Sequence, residues 1–203
     1  MEQSENTILL RGKLAQMPQF SHENHKKRFF RFYLSVARLS GVMDVLPVVT
    51  EESVFNSIDL SGGCMLEVQG QIRSHNIREN GARRLLVFVY ATTIVATDDP
   101  PTNEVTLRGS LCRHPNLRRT PLGREICDVM LAVPRAFKRA DYLPCILWGR
   151  TAQEAAACDT GDILHIQGRF QSRLYNKLTD QGAQERTAYE ISALTAEVVE
   201  NEL

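Results

Sequence analysis

The feature that most narrows the fold of this chain is an internal repeat. The segment "NTILLRGKL" from Asn6 returns as "NEVTLRGSL" from Asn103, an offset of 103 − 6 = 97 positions. The same offset carries Leu34, Val36 and Arg38 onto Leu131, Val133 and Arg135, and "DVLP" at Asp44 onto "DYLP" at Asp141. Further on, "GCMLEVQGQIRS" from Gly63 matches "GDILHIQGRFQS" from Gly161, with the offset grown by one residue. Four separated blocks in constant order describe two copies of one unit. Pro100 and Pro101 in "TDDPPTN" make a stiff, non-helical connector, so the expected units are residues 1–97 and 98–203.

Each copy reads as β-strands. In the second, Asn103 to Cys112 is a first strand, and Cys127, Val129, Leu131 and Val133 alternate as the inner face of a second. The matching inner set in the first copy is Phe30, Phe32, Leu34 and Val36. A third strand is expected over Tyr142 to Trp148. A helix then opens at Thr151, with Glu154 completing a capping box and Gly161 ending the turn. A long strand from Ile163 to Tyr175, a polar loop "NKLTDQGAQ" and a last strand from Arg186 to Val198 complete the unit. The expected fold class is therefore all-β: two tandem OB-fold barrels, each of five strands with one short helix between strands three and four. An immunoglobulin-like sandwich would need about seven shorter strands and no helix there.

Composition is ordinary for a globular chain, and the net charge is +0, with 24 basic and 24 acidic residues. A basic whole-chain balance, the usual footprint of nucleic-acid binding, is absent. The cations nevertheless bunch. "RHPNLRRTPLGR", "PRAFKR" and "GRFQSRLYNK" together hold ten of the 13 basic residues that follow Thr97. No apolar run of membrane-spanning length occurs, and the opening "MEQSENTILL" is polar and acidic, so a cytoplasmic protein with no membrane partner is expected. The five cysteines are scattered and never in CxxC spacing, which predicts neither a disulfide framework nor a zinc site, and most read as small buried residues. His22 and His25 lack a Cys or acidic ligand at usable spacing, so no metal and no cofactor is expected. No G-x-S-x-G elbow, P-loop or G-x-G-x-x-G is present, and the chain is not expected to be an enzyme.

Alternation in "GRFQSRLYNK" puts Phe170, Ser172 and Leu174 on one side and Arg169, Gln171, Arg173 and Tyr175 on the other. Two cations and a ring on one face are unlike a core and unlike a plain solvated face. Together with "NEVTLRGSL", "RRTPLGREICDVMLAVPR", "DYLPCILWGRTAQ" and "ERTAYEISALTAEVV", this stretch resembles the DNA-binding domain of bacterial single-stranded DNA-binding proteins over nearly all of Asn103 to Val199. The resemblance implies sequence-independent binding of single-stranded DNA in replication, repair or recombination. Bases would stack on Phe137, Tyr142, Trp148 and Tyr175. Phosphates would meet Arg169, Arg173 and Lys177, with Arg118, Arg119, Arg124, Arg135 and Lys138 beside them. The physical logic is independent of ancestry: every base has a flat π face, and an aromatic platform contributes about 1–3 kcal/mol per stacked base whatever the sequence.

The first copy resembles the same fold more weakly. It places Val45 opposite Tyr142, Glu51 opposite Trp148, and Asn76 or Ile77 opposite Tyr175. It is expected mainly to pair with the second copy, adding basic contacts through Arg31, Arg38, Arg73 and Arg78. The family acts as four barrels, which two such chains reach as a homodimer. The alternative reading is a protein-binding adaptor resembling the primosomal replication protein of the same fold. It draws on the sequence stopping at "VVENEL" where family members commonly continue into a flexible linker and an acidic tip that recruits replication proteins.

Overall fold

The fold was obtained as a computed structural model, which describes residues 5–60, 63–79, 81–179 and 182–199. The strands in the first unit are β1 (Asn6–Asn24), β2 (Lys27–Ala37), β3 (Met43–Glu51), β4 (Met65–Glu79) and β5 (Ala82–Ala96). In the second they are β6 (Thr102–Leu111), β7 (Asn116–Arg119), β8 (Glu125–Arg135), β9 (Arg139–Trp148), β10 (Ile163–Thr179) and β11 (Gly182–Val199), with helix α1 at Gly149–Ala156. β1 pairs with β2, β2 with β3, β3 in parallel with β5, β5 with β4, and β4 with β1. This circuit closes a five-stranded barrel. β6, β8, β9, β11 and β10 close a second in the same order, again with one parallel pair, β9 to β11. Both are OB-folds, as the repeat implied.

Alternation drives closure because every second side chain must leave water. Phe32, Leu34 and Val36 of β2, with Leu46 and Val48 of β3, fill the first barrel; Cys127, Val129, Leu131 and Val133 of β8, with Leu143, Cys145 and Leu147 of β9, fill the second. Three of the five cysteines, Cys127, Cys145 and Cys158, are buried, while Cys64 is intermediate and Cys112 exposed. The repeated "QG" of strand four marks a bulge at Gln69/Gly70 and at Gln167/Gly168. A Cβ at either glycine would run into the carbonyl of the next strand, Tyr90 or Ser192, so only glycine lets the strand bend there.

The barrels share one sheet. β1 and β6 pair antiparallel, with Asn6 opposite Leu107 and Leu10 opposite Asn103. Exchanging the two copies exchanges these two pairs, so the seam is a twofold contact between repeats within one chain. Beyond their bulges β4–β5 and β10–β11 run on as hairpin arms, and each arm crosses the seam. Asp44 at the start of β3 accepts from the Ser172 N–H at 2.7 Å and the Ser172 hydroxyl at 2.8 Å. Asp141 of β9 accepts from the Ser74 N–H at 2.7 Å. Arg38 donates twice to Asp44, at 2.7 Å each, and again to the Ser172 carbonyl at 2.6 Å. Arg73 and Arg135 reach Asp141 at 3.0 and 3.4 Å. Both aspartates are buried.

Several local expectations change. Helix α1 begins at Gly149, not Thr151, and it has no side-chain cap: Gly149 takes φ 56° to turn out of β9, and Glu154 pairs with Arg150 at 2.8 Å. Of the expected loop 176–184, residues 176–179 and 182–184 form an arm, because each strand continues to satisfy the other's backbone out to Thr179 and Gly182; residues 180 and 181 lie outside the described residues. In the first unit the helical element after β3 is a single 3-10 turn, Glu52–Val54. The Ser, Asn and Asp residues that follow compete for backbone hydrogen bonds and disfavour a longer helix. β7 is an added short strand in the basic run, paired to β8.

Candidate nucleic-acid interface

On β9 the inward residues Leu143, Cys145 and Leu147 are buried, so Tyr142 and Trp148 point outward. They stand six residues apart, about 20 Å along the strand. Phe137 sits at the tip of the β8–β9 turn, where Arg135 opposite Arg139 closes the hairpin. Its backbone is left-handed, φ 60° and ψ 38°, as is that of Lys138 with φ 55°. A phenyl ring in that conformation is uncommon and costs strain, and this one is 95% exposed with no core contact in return. Tyr142, Trp148 and Tyr175 are 43%, 40% and 37% exposed. All four aromatic positions read from the sequence therefore lie open on the outside of the second unit.

The register fixes their neighbours. Trp148 lies opposite Ile126 of β8, which lies opposite Arg118 of β7. On its other side the Trp148 indole N–H donates to the Ser192 hydroxyl at 3.1 Å, and Ser192 lies opposite Arg169 of β10. Opposed residues share a face, so Arg118, Trp148, Ser192 and Arg169 cross the barrel as one row. Arg173 and Tyr175 continue along β10 on that face, out onto the arm. The Tyr142 amide donates to the Ser74 hydroxyl at 2.8 Å, which ties the other end of β9 to the arm of the first barrel.

The cations differ in what they already hold. Arg118 is fastened to Asp128, Arg119 to Glu125 at 3.0 Å, and Arg173 to Glu190 at 3.1 Å. Hydrogen bonds from Gln153 and Arg119 keep the Glu125 carboxyl below its ordinary range, so it is ionised at neutral pH. Among the described residues Arg169, Arg124 and Lys138 have no acidic partner. Arg135 is held at the seam by buried Asp141, away from the Trp148 row. The Lys177 side chain lies outside the described residues.

The first barrel lacks this layout. Val45 and Glu51 occupy the places of Tyr142 and Trp148, as the offset indicated, and Phe32 is core. Its rings gather on the β1–β2 hairpin, where His22 stacks on Phe29 at 4.8 Å and Arg28 lies 5.2 Å from the Phe30 ring centre. Arg38 and Arg73, read as basic contacts, are committed to Asp44 and Asp141. Sequence reasoning also passed over the aspartates and asparagines of the repeat. Asn6 bonds both backbone groups of Ile72 at 2.8 Å, and Asn103 bonds those of Phe170 at 2.7 and 2.9 Å. Their recurrence at one offset was the only signal available.

Residues 102–199 match the model of the single-strand binding protein family. The chain is 41% identical over 80 residues to single-stranded DNA-binding protein B of Bacillus subtilis, covering 36% of this chain and 71% of that protein. It is 36% identical to single-stranded DNA-binding protein 2 of Listeria innocua, spanning 36% of this chain and half (50%) of that protein. A crystal structure of a deletion mutant of the single-stranded DNA binding protein from Thermus aquaticus superposes over 100% of this chain and 98% of its own. The TM-score there is 0.79 at 24% identity, a likeness of fold. The second barrel carries the family match and the first repeats its topology; the chain belongs to the single-strand binding protein family.

Proposed function

We propose that the outer face of the second barrel binds single-stranded DNA irrespective of sequence. The observation that carries this is the set of four rings, Phe137, Tyr142, Trp148 and Tyr175, left open to solvent on one family-matched unit with arginines between them. Aromatic faces held open at such a cost in exposed apolar area need a flat partner, and unpaired bases supply one. Arg169, Arg124 and Lys138 serve as standing phosphate contacts, and Lys177 follows Arg169 in sequence along β10. Arg118, Arg119 and Arg173 join them by exchanging carboxylate for phosphate. Arg135 belongs instead to the seam. The activity is binding, not catalysis.

In this reading residues 1–97 act chiefly as the pairing unit, locked to 98–203 by the β1–β6 strands and the crossed arms. Two chains then give four barrels as a homodimer. The setting is the cytoplasm, where replication, repair and recombination expose single strands. No helix is long and apolar enough to cross a membrane among the described residues.

The test is fluorescence anisotropy of a labelled thymidine oligomer, run at several salt concentrations and repeated with duplex of equal length. Tight binding to the single strand that weakens steeply as salt rises supports the reading. Equal affinity for duplex, or no binding at low salt, overturns it.

A further inference from the structure

One face of the Tyr175 ring is already occupied. The Arg173 guanidinium carbon lies 5.7 Å from the ring centre, within cation–π range. Arg173 and Tyr175 are two residues apart on β10, so both project from the same face. The Arg173 Nε–H in turn donates to both carboxylate oxygens of Glu190, at 3.1 and 3.2 Å. Glu190 stands opposite Gln171 on that face, two residues along β11 from Ser192, the partner of Trp148. It therefore lies between the two rings. Its side chain is only 14% exposed, whereas that of Arg173 is 51% exposed. The carboxylate is the fixed part of the pair, and the guanidinium is the part that can leave.

A carboxylate at the centre of a face meant for phosphates opposes binding, and a cation lying on a ring denies that side of it to a base. Both penalties end together if the guanidinium changes partner. We infer that Glu190 and Arg173 form a latch over Tyr175: in the free protein the carboxylate parks the guanidinium on the ring, and an arriving phosphate draws it off, opening the ring to a base. This inference rests on the single-stranded DNA reading above. It makes the charge part of binding at Tyr175 an exchange of one ion pair for another, so the net electrostatic gain is small and the strand has a ready way off, because Glu190 recaptures Arg173 as the phosphate departs. Arg38 and Arg118 also lie within electrostatic reach of Glu190, which keeps its charge from being wholly unbalanced when Arg173 swings away.

The test uses the full chain and a labelled thymidine oligomer. Glu190→Gln keeps the shape and removes the charge. The latch predicts binding about two- to fivefold tighter than the parent, the range of a partly exposed ion pair. Most of the gain should appear as slower dissociation. In an Arg173→Ala background only the general charge part of that gain remains, since there is no cation to release, so the gain is smaller than in the parent, and the double-mutant cycle isolates the latch as the difference. Unchanged or weaker binding by folded Glu190→Gln overturns the latch. So does an equal gain in both backgrounds, which would be a general charge effect. A check on the unaltered chain needs no variant to fold: the Arg173 Nε–H resonance shifts on adding the oligomer if the guanidinium changes partner and stays put if it does not. A parent chain that ignores the oligomer sinks the functional reading and the latch together. A parent that binds, with Glu190→Gln no tighter, sinks the latch alone.

Discussion

Replacing Asp44 by alanine should loosen the whole molecule, although the residue is far from Trp148 in sequence. Its carboxylate is 1% exposed and receives four hydrogen bonds, two from Arg38 and two from Ser172 of the other barrel. Removing it strands a partly buried guanidinium and a backbone N–H. Breaking a buried pair from one side costs about 3–5 kcal/mol. Arg38 remains 26% exposed and recovers some solvation, so the low end, about 3 kcal/mol, is the expected value. For a chain of this length that corresponds to a fall in Tm of about 6–12 °C by calorimetry. Asp44→Asn, which keeps an acceptor for Ser172, should lose less. The pH dependence has a definite sign. Burial works against the ionised form of Asp44, but the Arg38 and Ser172 hydrogen bonds outweigh it and hold its carboxyl below the ordinary range. A carboxylate depressed by folding adds stability above its unfolded pKa of about 4, and that stability fades as pH falls through the lower folded value. The gap between parent and Asp44→Asn should therefore be full at pH 7 and close in acid. An Asp44→Ala protein that melts with the parent at pH 7 would refute the reasoning about the seam.

Other substitutions separate folding from binding. Phe137→Gly removes a ring that touches no core and relieves a left-handed backbone, so Tm should hold or rise, by up to about 1 kcal/mol of stability, while affinity for a thymidine oligomer falls by about 1–3 kcal/mol. Tyr175→Ala should likewise weaken binding by about 1–3 kcal/mol with little change in the melt; an early melt with unchanged affinity would make Tyr175 structural. Gly168→Ala drives a methyl into the Ser192 carbonyl and should cost about 1–3 kcal/mol of stability, measured by urea unfolding, because the bulge must open.

What the sequence made legible was whatever repeats or alternates. The offset of 97 exposes both units, and period-two alternation places Phe32 inside. The basic and aromatic face of β10 follows from the same alternation, whereas Tyr142 and Trp148 on β9 come from the family resemblance. What stayed hidden depends on long-range partners. Asp44 and Asp141 recur in "DVLP" and "DYLP", yet nothing local says that each receives a serine from the opposite arm. The stretch "NKLTDQGAQ" looks like a loop by composition, and its described residues, 176–179 and 182–184, become an arm only because β10 and β11 keep their register past the barrel wall. Glu190 reads as a solvated strand residue, since its relation to Arg173 and Tyr175 exists only across the pair of strands. Thr151 and Glu154 fit a capping pattern, but α1 begins two residues earlier because Gly149 supplies the turn by its own freedom.

The most direct measurement of the central claim uses the chain's single tryptophan. Trp148 fluorescence is followed while a thymidine oligomer is added, first at low and then at rising salt. A base stacking on the open indole should quench the emission to saturation, with the midpoint moving sharply to higher oligomer concentration as salt increases. An emission that stays constant while anisotropy reports bound oligomer would place the strand elsewhere and contradict the site described here.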